Sequence, residues 1–63
     1  MQTKQFEHGG IKYTIENNNG LINVFEEGQD EAICCGFRET LNEEWNDSKL
    51  AKTLYTKALT ELN

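Results

Sequence analysis

Two turn signals, Gly9-Gly10 and Asn18-Asn19-Gly20, bracket an alternating segment from Ile11 to Asn17. That arrangement commits the first half of the chain to antiparallel hairpins. Two-residue hairpin loops of the primed types need positive φ, which glycine supplies without strain and asparagine tolerates. Strands are predicted over about Thr3–His8, Ile11–Asn17, Leu21–Glu27 and Ala32–Phe37, with a third turn at Gly28-Gln29-Asp30-Glu31. Each loop also sets a register. A Gly9-Gly10 loop places Phe6 opposite Tyr13, and a two-residue loop at Asn18-Asn19-Gly20 puts Ile11, Tyr13 and Ile15 on the face of Ile22 and Val24. A four-residue loop at Gly28 would set Val24 opposite Cys35 and Ile22 opposite Phe37.

The expected buried face is therefore Phe6, Ile11, Tyr13, Ile15, Ile22, Val24, Ile33, Cys35 and Phe37. The other face collects Gln5, Glu7, Lys12, Thr14, Glu16, Asn23 and Glu27, and also takes Leu21, Phe25, Ala32 and Cys34. Apolar-in, polar-out alternation of this kind belongs to an antiparallel sheet with one solvated face.

Beyond Phe37 the period changes. Leu50, Ala51, Leu54, Tyr55, Ala58, Leu59 and Leu62 recur at helical spacing and form one apolar stripe. Thr40 and Glu43 fit a capping box, and Asn46-Asp47-Ser48 offers a second N-cap. One helix from Leu41 to Leu62 would measure about 33 Å at 1.5 Å per residue, against about 23 Å for a seven-residue strand. A break is expected, with a short turn around Leu41–Trp45 and the main helix from about Ser48. The expected fold is α+β: an antiparallel β-meander of three to four strands (ββββα) with one C-terminal amphipathic helix on one sheet face. It is a single small domain over residues 1–63, with the sheet over about 3–37 and the helical segment over about 41–62.

A chain of 63 residues buries only about 60% of its unfolded surface, so it builds one modest core. No stretch has the 18 or so apolar residues of a membrane span, and the N-terminus lacks the basic-then-apolar order of a signal peptide. A cytoplasmic location is expected, and the start at Met1 suggests a complete small reading frame. Cys34 and Cys35 are adjacent. Neighbouring residues of a strand point to opposite faces, so both are read as reduced, Cys35 as a small core residue and Cys34 as the more reactive thiol on the open face.

Charge is the most informative feature for function. The net charge is −5, and the acids concentrate in the middle of the chain. Glu26, Glu27, Asp30, Glu31, Glu39, Glu43, Glu44 and Asp47 stand there against Arg38 alone. Such a field either serves as a solvated rim or docks a basic partner, speeding encounter and selecting against wrong partners. Trp45, inside this segment, reads either as a lid on the core or as an interface anchor, and Phe25 with Leu21 as an apolar contact on the open face.

The chemical motifs of enzymes are missing from the pattern. Gln29-Asp30-Glu31 lacks the alternating ligands of a calcium loop, and there is no CxxC pair. His8, the single histidine, lies on the first strand and the cysteines on the fourth, two strands apart in a meander, which disfavours cysteine–histidine chemistry. No catalytic residues, cofactor or metal are expected.

Three strands leading into a helix, with Gly36-Phe37 and Thr40 before it, resemble in order the arm-binding N-terminal domains of phage-type integrases. That resemblance implies a nucleic-acid-binding module that reads DNA with the open sheet face. Here that face carries Glu7, Glu16 and Glu27 beside Lys12, whereas nucleic-acid binding needs a positive footprint.

The expected function is that of a small acidic cytoplasmic binding or regulatory protein without catalytic activity. It would present an acidic surface to a basic protein partner, as a nucleic-acid mimic or phage-type inhibitor does. The candidate contact residues are Glu26, Glu27, Asp30, Glu31, Glu43, Glu44, Trp45 and Phe25. The alternative is a homodimeric accessory domain that uses the open sheet face.

Overall fold

Gly9 and Gly10 adopt φ of 61° and 81°, the positive pair that a two-residue primed turn requires. The turn joins β1 (Gln2–His8) to β2 (Ile11–Asn18) and sets Phe6 opposite Tyr13. Their rings stack with centroids 5.4 Å apart. Asn19 and Gly20, at φ 54° and 96°, close the second hairpin into β3 (Leu21–Glu26). The Asn17 side chain accepts from the Gly20 amide at 2.9 Å. Ile15 then pairs with Val24, on the shared face that a two-residue loop predicts. The computed structural model describes residues 1–38, 40–45 and 48–63. Glu39, Asn46 and Asp47, which carry part of the acidic segment and of the second predicted cap, lie outside the described residues.

The sheet has one strand more than expected. β4 (Cys34–Phe37) and a two-residue β5 (Thr40–Leu41) complete a five-stranded antiparallel meander in the order β1-β2-β3-β4-β5. Among the described residues one α-helix, α1 (Lys49–Leu62), packs on one face, so the architecture is α+β as predicted. Thr40 is not a helix cap, because it pairs with Phe37 in the β4–β5 ladder. The capping is done by Asn42, whose Oδ1 accepts from the Glu44 amide at 3.0 Å and starts a 3-10 turn over Glu43–Trp45. The expected break follows, and Ser48 then caps α1, its Oγ accepting from the Ala51 amide at 3.1 Å.

β4 corrects the sequence reading. The connection from β3 spans residues 27–33 rather than four residues, and its odd length inverts the face of the next strand. Val24 pairs with Cys34 and Ile22 with Gly36. Cys34 is fully buried, while Phe37, predicted for the core, is 64% exposed. Cys35, also predicted for the core, turns to the open face and is half-buried. The reason lies beneath the strand. A Cβ on Gly36 would come within 2.7 Å of the Tyr55 hydroxyl and closer still to the Thr40 carbonyl oxygen. Only glycine leaves room for Tyr55, whose hydroxyl donates to the Arg38 carbonyl. The helix thus selects the register that puts Gly36 inward and Phe37 out.

The core is Tyr13, Ile15, Ile22, Val24 and Cys34 from the sheet, with Ala51, Leu54, Tyr55 and Ala58 from the helix. Phe6, Ile33, Leu41, Trp45, Leu59 and Leu62 pack around it, partly buried. Besides Cys35 and Phe37, two more predicted members fall outside. Ile11, at the Gly9-Gly10 hairpin end, is 44% exposed, and Leu50, in the first turn of α1, is 49% exposed. A 14-residue helix is only about 21 Å long and does not reach every corner of the sheet. Its C-terminal end lies over β1, where the Lys4 amino group donates to the Glu61 carbonyl oxygen at 2.8 Å. The last turn of α1 has no basic residue of its own, and Lys4 places a cation at its negative end. The same inward-pointing lysine guards the exposed β1 edge against further strand pairing.

Candidate functional site

In an antiparallel meander alternate strands share a direction. β3 therefore finishes at the sheet end where β4 begins, and the two-residue β5, which ends opposite Gly36, runs toward that end. The 27–33 connection emerges there, and the Glu43–Trp45 turn follows β5. Four of the acids, Glu26, Glu27, Asp30 and Glu31, belong to the end of β3 and this connection, and Glu43 and Glu44 to the turn after β5. Glu27, Asp30, Glu31, Glu43 and Glu44 are exposed, and Glu26 is half-buried. Backbone bonds tie the connection down: the Glu27 amide donates to the Lys12 carbonyl at 3.0 Å and the Gln29 amide to the Glu26 carbonyl at 3.0 Å.

Beside this end, Glu16, Glu26 and Asp30 share a shallow depression with Phe25, together with Thr14 and Gln29. Phe25 is thus a half-buried aromatic side chain bordered by carboxylates. Glu16 was outside the predicted site. It joins because β2 pairs with β3 in a register that sets Thr14 beside Phe25 and Glu16 beside Asn23. Its place on the polar face was readable from alternation, but its neighbours were not.

Trp45 sits apart from the rest of the candidate set. It packs against the core, as a lid would, with its indole Nε1 buried and without a hydrogen-bond partner among the described residues.

The cysteines exchange the roles that the sequence suggested. Burial pushes the Cys34 thiol up to about 11, with a further contribution from Cys35. Burial likewise raises the Tyr55 hydroxyl to about 12, Cys34 and Cys35 adding to it. Cys35 is half-buried on the open face, with the Asn42 side-chain amide 3.7 Å from its sulfur. Thiolate is the reactive form, so in the native protein at neutral pH iodoacetamide should modify Cys35 first. Cys34 should react only as fast as the chain opens, as peptide mapping over time would show. The raised values also make stability pH-dependent. The folded state holds the Cys34 and Tyr55 protons more tightly than the unfolded chain. The Cys34 contribution is therefore intact below the unfolded value of about 9 and lost as pH rises through about 11, and that of Tyr55 is intact below about 10 and lost through about 12.

Among the described residues there is no cluster of three or more metal-ligating side chains. No helix of the described residues is long and apolar enough to cross a membrane. His8 on β1 and the cysteines on β4 are separated by two intervening strands, about 14 Å at the usual strand spacing. Compared with family models, curated proteins and solved structures, the chain matches none of them.

Proposed function

We propose that this chain is a non-catalytic binding protein that docks a basic protein partner at the acidic end of its sheet. What supports the reading is that Glu26, Glu27, Asp30 and Glu31 stand on or beside the one connection between β3 and β4, with β5 leading toward that end into Glu43 and Glu44. Carboxylates of one sign on a small rigid frame produce a focused negative potential, which steers a cationic partner and fixes its orientation. Phe25, at the border of this end, supplies an apolar contact next to the charges. The protein acts in the cytoplasm with both thiols reduced. A nucleic-acid mimic that occupies a basic groove is the form of partner binding that suits this charge.

The test is capture from a lysate of the encoding organism, at about 50 mM and about 500 mM salt, where the Debye length falls from roughly 14 to 4 Å. A variant with Glu26→Gln, Glu27→Gln, Asp30→Asn and Glu31→Gln runs beside it. A basic protein should be retained at low salt by the native chain, and lost both at high salt and with the amide variant. Far-UV circular dichroism should show the amide variant still folded. Retention that survives the amides, or no basic protein at low salt, would make the acids a solvated rim.

A further inference from the structure

Asn19 is the single asparagine of the chain that is followed by glycine. That dipeptide carries a reaction of its own. The nitrogen of the peptide bond after an asparagine attacks the side-chain carbonyl carbon, and a following glycine, with no Cβ, leaves that nitrogen open. Asn19 is exposed at the tip of the β2–β3 hairpin. Nothing lies within 4 Å of where a Cβ on Gly20 would stand, so packing does not shield the site.

The restraint is in the turn and its hydrogen bonds. Asn19 and Gly20, at φ 54° and 96°, have the two positive values of a type I′ turn. The mirror image of a type I turn sets ψ of its first central residue at roughly 30°, which holds the Gly20 nitrogen nearly anti to the Asn19 Cβ. A five-membered ring needs the two nearly eclipsed, so the 19–20 peptide must swing through most of a half-turn before it can react. That swing breaks the bond in which the Gly20 N–H donates to Asn17 Oδ1 at 2.9 Å. The same bond keeps the proton on the nitrogen that must lose it. Asn17 is held in turn by the sheet, half-buried and paired with Gln2 on one side and Ile22 on the other. The Gly20 carbonyl oxygen accepts from the Arg38 amide at 3.1 Å and ties the glycine to the end of β4.

We propose that Asn19 is a site of spontaneous deamidation that the folded hairpin holds shut, with Asn17 as the positioning residue of the lock. When the hairpin opens, the Gly20 nitrogen gives its proton to solvent and bonds to Asn19 Cγ. The Cγ–Nδ2 bond breaks, and the departing nitrogen takes up a proton and leaves as ammonia. Water then adds to one carbonyl of the cyclic imide and cleaves its bond to nitrogen. Cutting the new bond leaves aspartate at position 19, and cutting the original peptide bond leaves isoaspartate. Either product adds a carboxylate to the depression that Asn19 shares with Arg38. Isoaspartate also adds a methylene to the main chain, for which a two-residue turn has no place. The modification therefore accumulates with each local opening of the hairpin.

The test compares the native chain, Asn17→Ala, Asn17→Asp and the native chain in denaturing urea, incubated at mildly alkaline pH. Peptide mapping by mass spectrometry follows aspartate plus isoaspartate at position 19, and circular dichroism checks that the variants are folded. The unfolded chain should deamidate fastest and the native chain slowest. A hydrogen bond of ordinary net strength that must break first slows a step by roughly 2- to 12-fold, and Asn17→Ala should gain that factor over the native chain. Asn17→Asp keeps an acceptor oxygen in place and should stay near the native rate. Lys57→Gly, at an exposed position inside α1, weakens the fold by a comparable amount without touching the turn, and should also stay near the native rate. A native rate equal to that of the unfolded chain would overturn the proposal. So would Asn17→Ala at the native rate, or Asn17→Asp or Lys57→Gly reacting as fast as Asn17→Ala.

Discussion

Gly36→Ala should cost the protein a large part of its stability. A Cβ at this position meets the Thr40 carbonyl oxygen and the Leu41 Cα, both backbone, as well as the Tyr55 hydroxyl at 2.7 Å. Backbone atoms cannot rotate away as a side-chain tip can. Overpacking of a tight site costs about 1–3 kcal/mol and sometimes more, against a total of roughly 3–9 kcal/mol for a chain this size. In a domain this small each kcal/mol lowers the midpoint by about 4–8 °C, so thermal unfolding should move down by roughly 10 °C or more. Phe37→Ser, one residue along and facing solvent, is the control and should shift the midpoint little. The pair tests the β4 register directly. In the register expected from a four-residue loop, Gly36 would face solvent and Phe37 the core, and the two effects would change places.

Leu54→Ala should be comparably damaging for a different reason. Leu54 is fully buried and stands at the centre of the helix stripe, flanked one turn away by Ala51 and Ala58. Truncating a buried leucine removes its transfer free energy and leaves a cavity, together about 2–5 kcal/mol. Small alanines on either side have no mass with which to fill the gap. Leu50→Ala, four positions earlier and 49% exposed, should stay within about 0.5 kcal/mol. Urea titrations of the two variants give the comparison, with the midpoint falling for Leu54→Ala at an unchanged slope. Equal losses at the two positions would mean that the helix presents a different face to the sheet.

Much of this architecture was legible from short stretches of the chain. Gly9-Gly10 and Asn19-Gly20 carry their own backbone preferences, and each fixes the alignment of the strands it joins. Two turns therefore settled the register of β1 with β2 and the shared buried face of Tyr13, Ile15, Ile22 and Val24, while the exact β2–β3 pairing was left between two loops. The helix was visible as a stripe that includes positions 51, 54, 55 and 58, and its cap was narrowed to Asn46-Asp47-Ser48, of which Ser48 serves. The acids of the candidate site were visible as a run in the sequence, but β5, which sends Glu43 and Glu44 back along β4, was not.

The misreadings share a physical cause. The segment Ile33–Phe37 is apolar on both faces, so alternation holds no information about which side goes in, and the parity of a seven-residue connection cannot be counted from composition. Thr40 and Glu43 matched a capping box because cap residues are also common in turns and at strand ends. Ile11 had the right period but lies at a hairpin end beyond the reach of α1, while Leu50 lies at the edge of the helix stripe, about 90° from the centre of Ala51, Leu54, Tyr55 and Ala58.

The chain by itself determined what depends on neighbours within a few residues: turn geometry, strand alternation, the helix stripe and its cap. The tertiary structure alone decided which way β4 faces. That choice rests on the fit between Gly36 and Tyr55, residues 19 positions apart, and becomes physical only when the helix lies on the sheet. From it follow the burial of Cys34 and the exposure of Phe37 on the open face, because a shift of one residue in a strand exchanges its two sides.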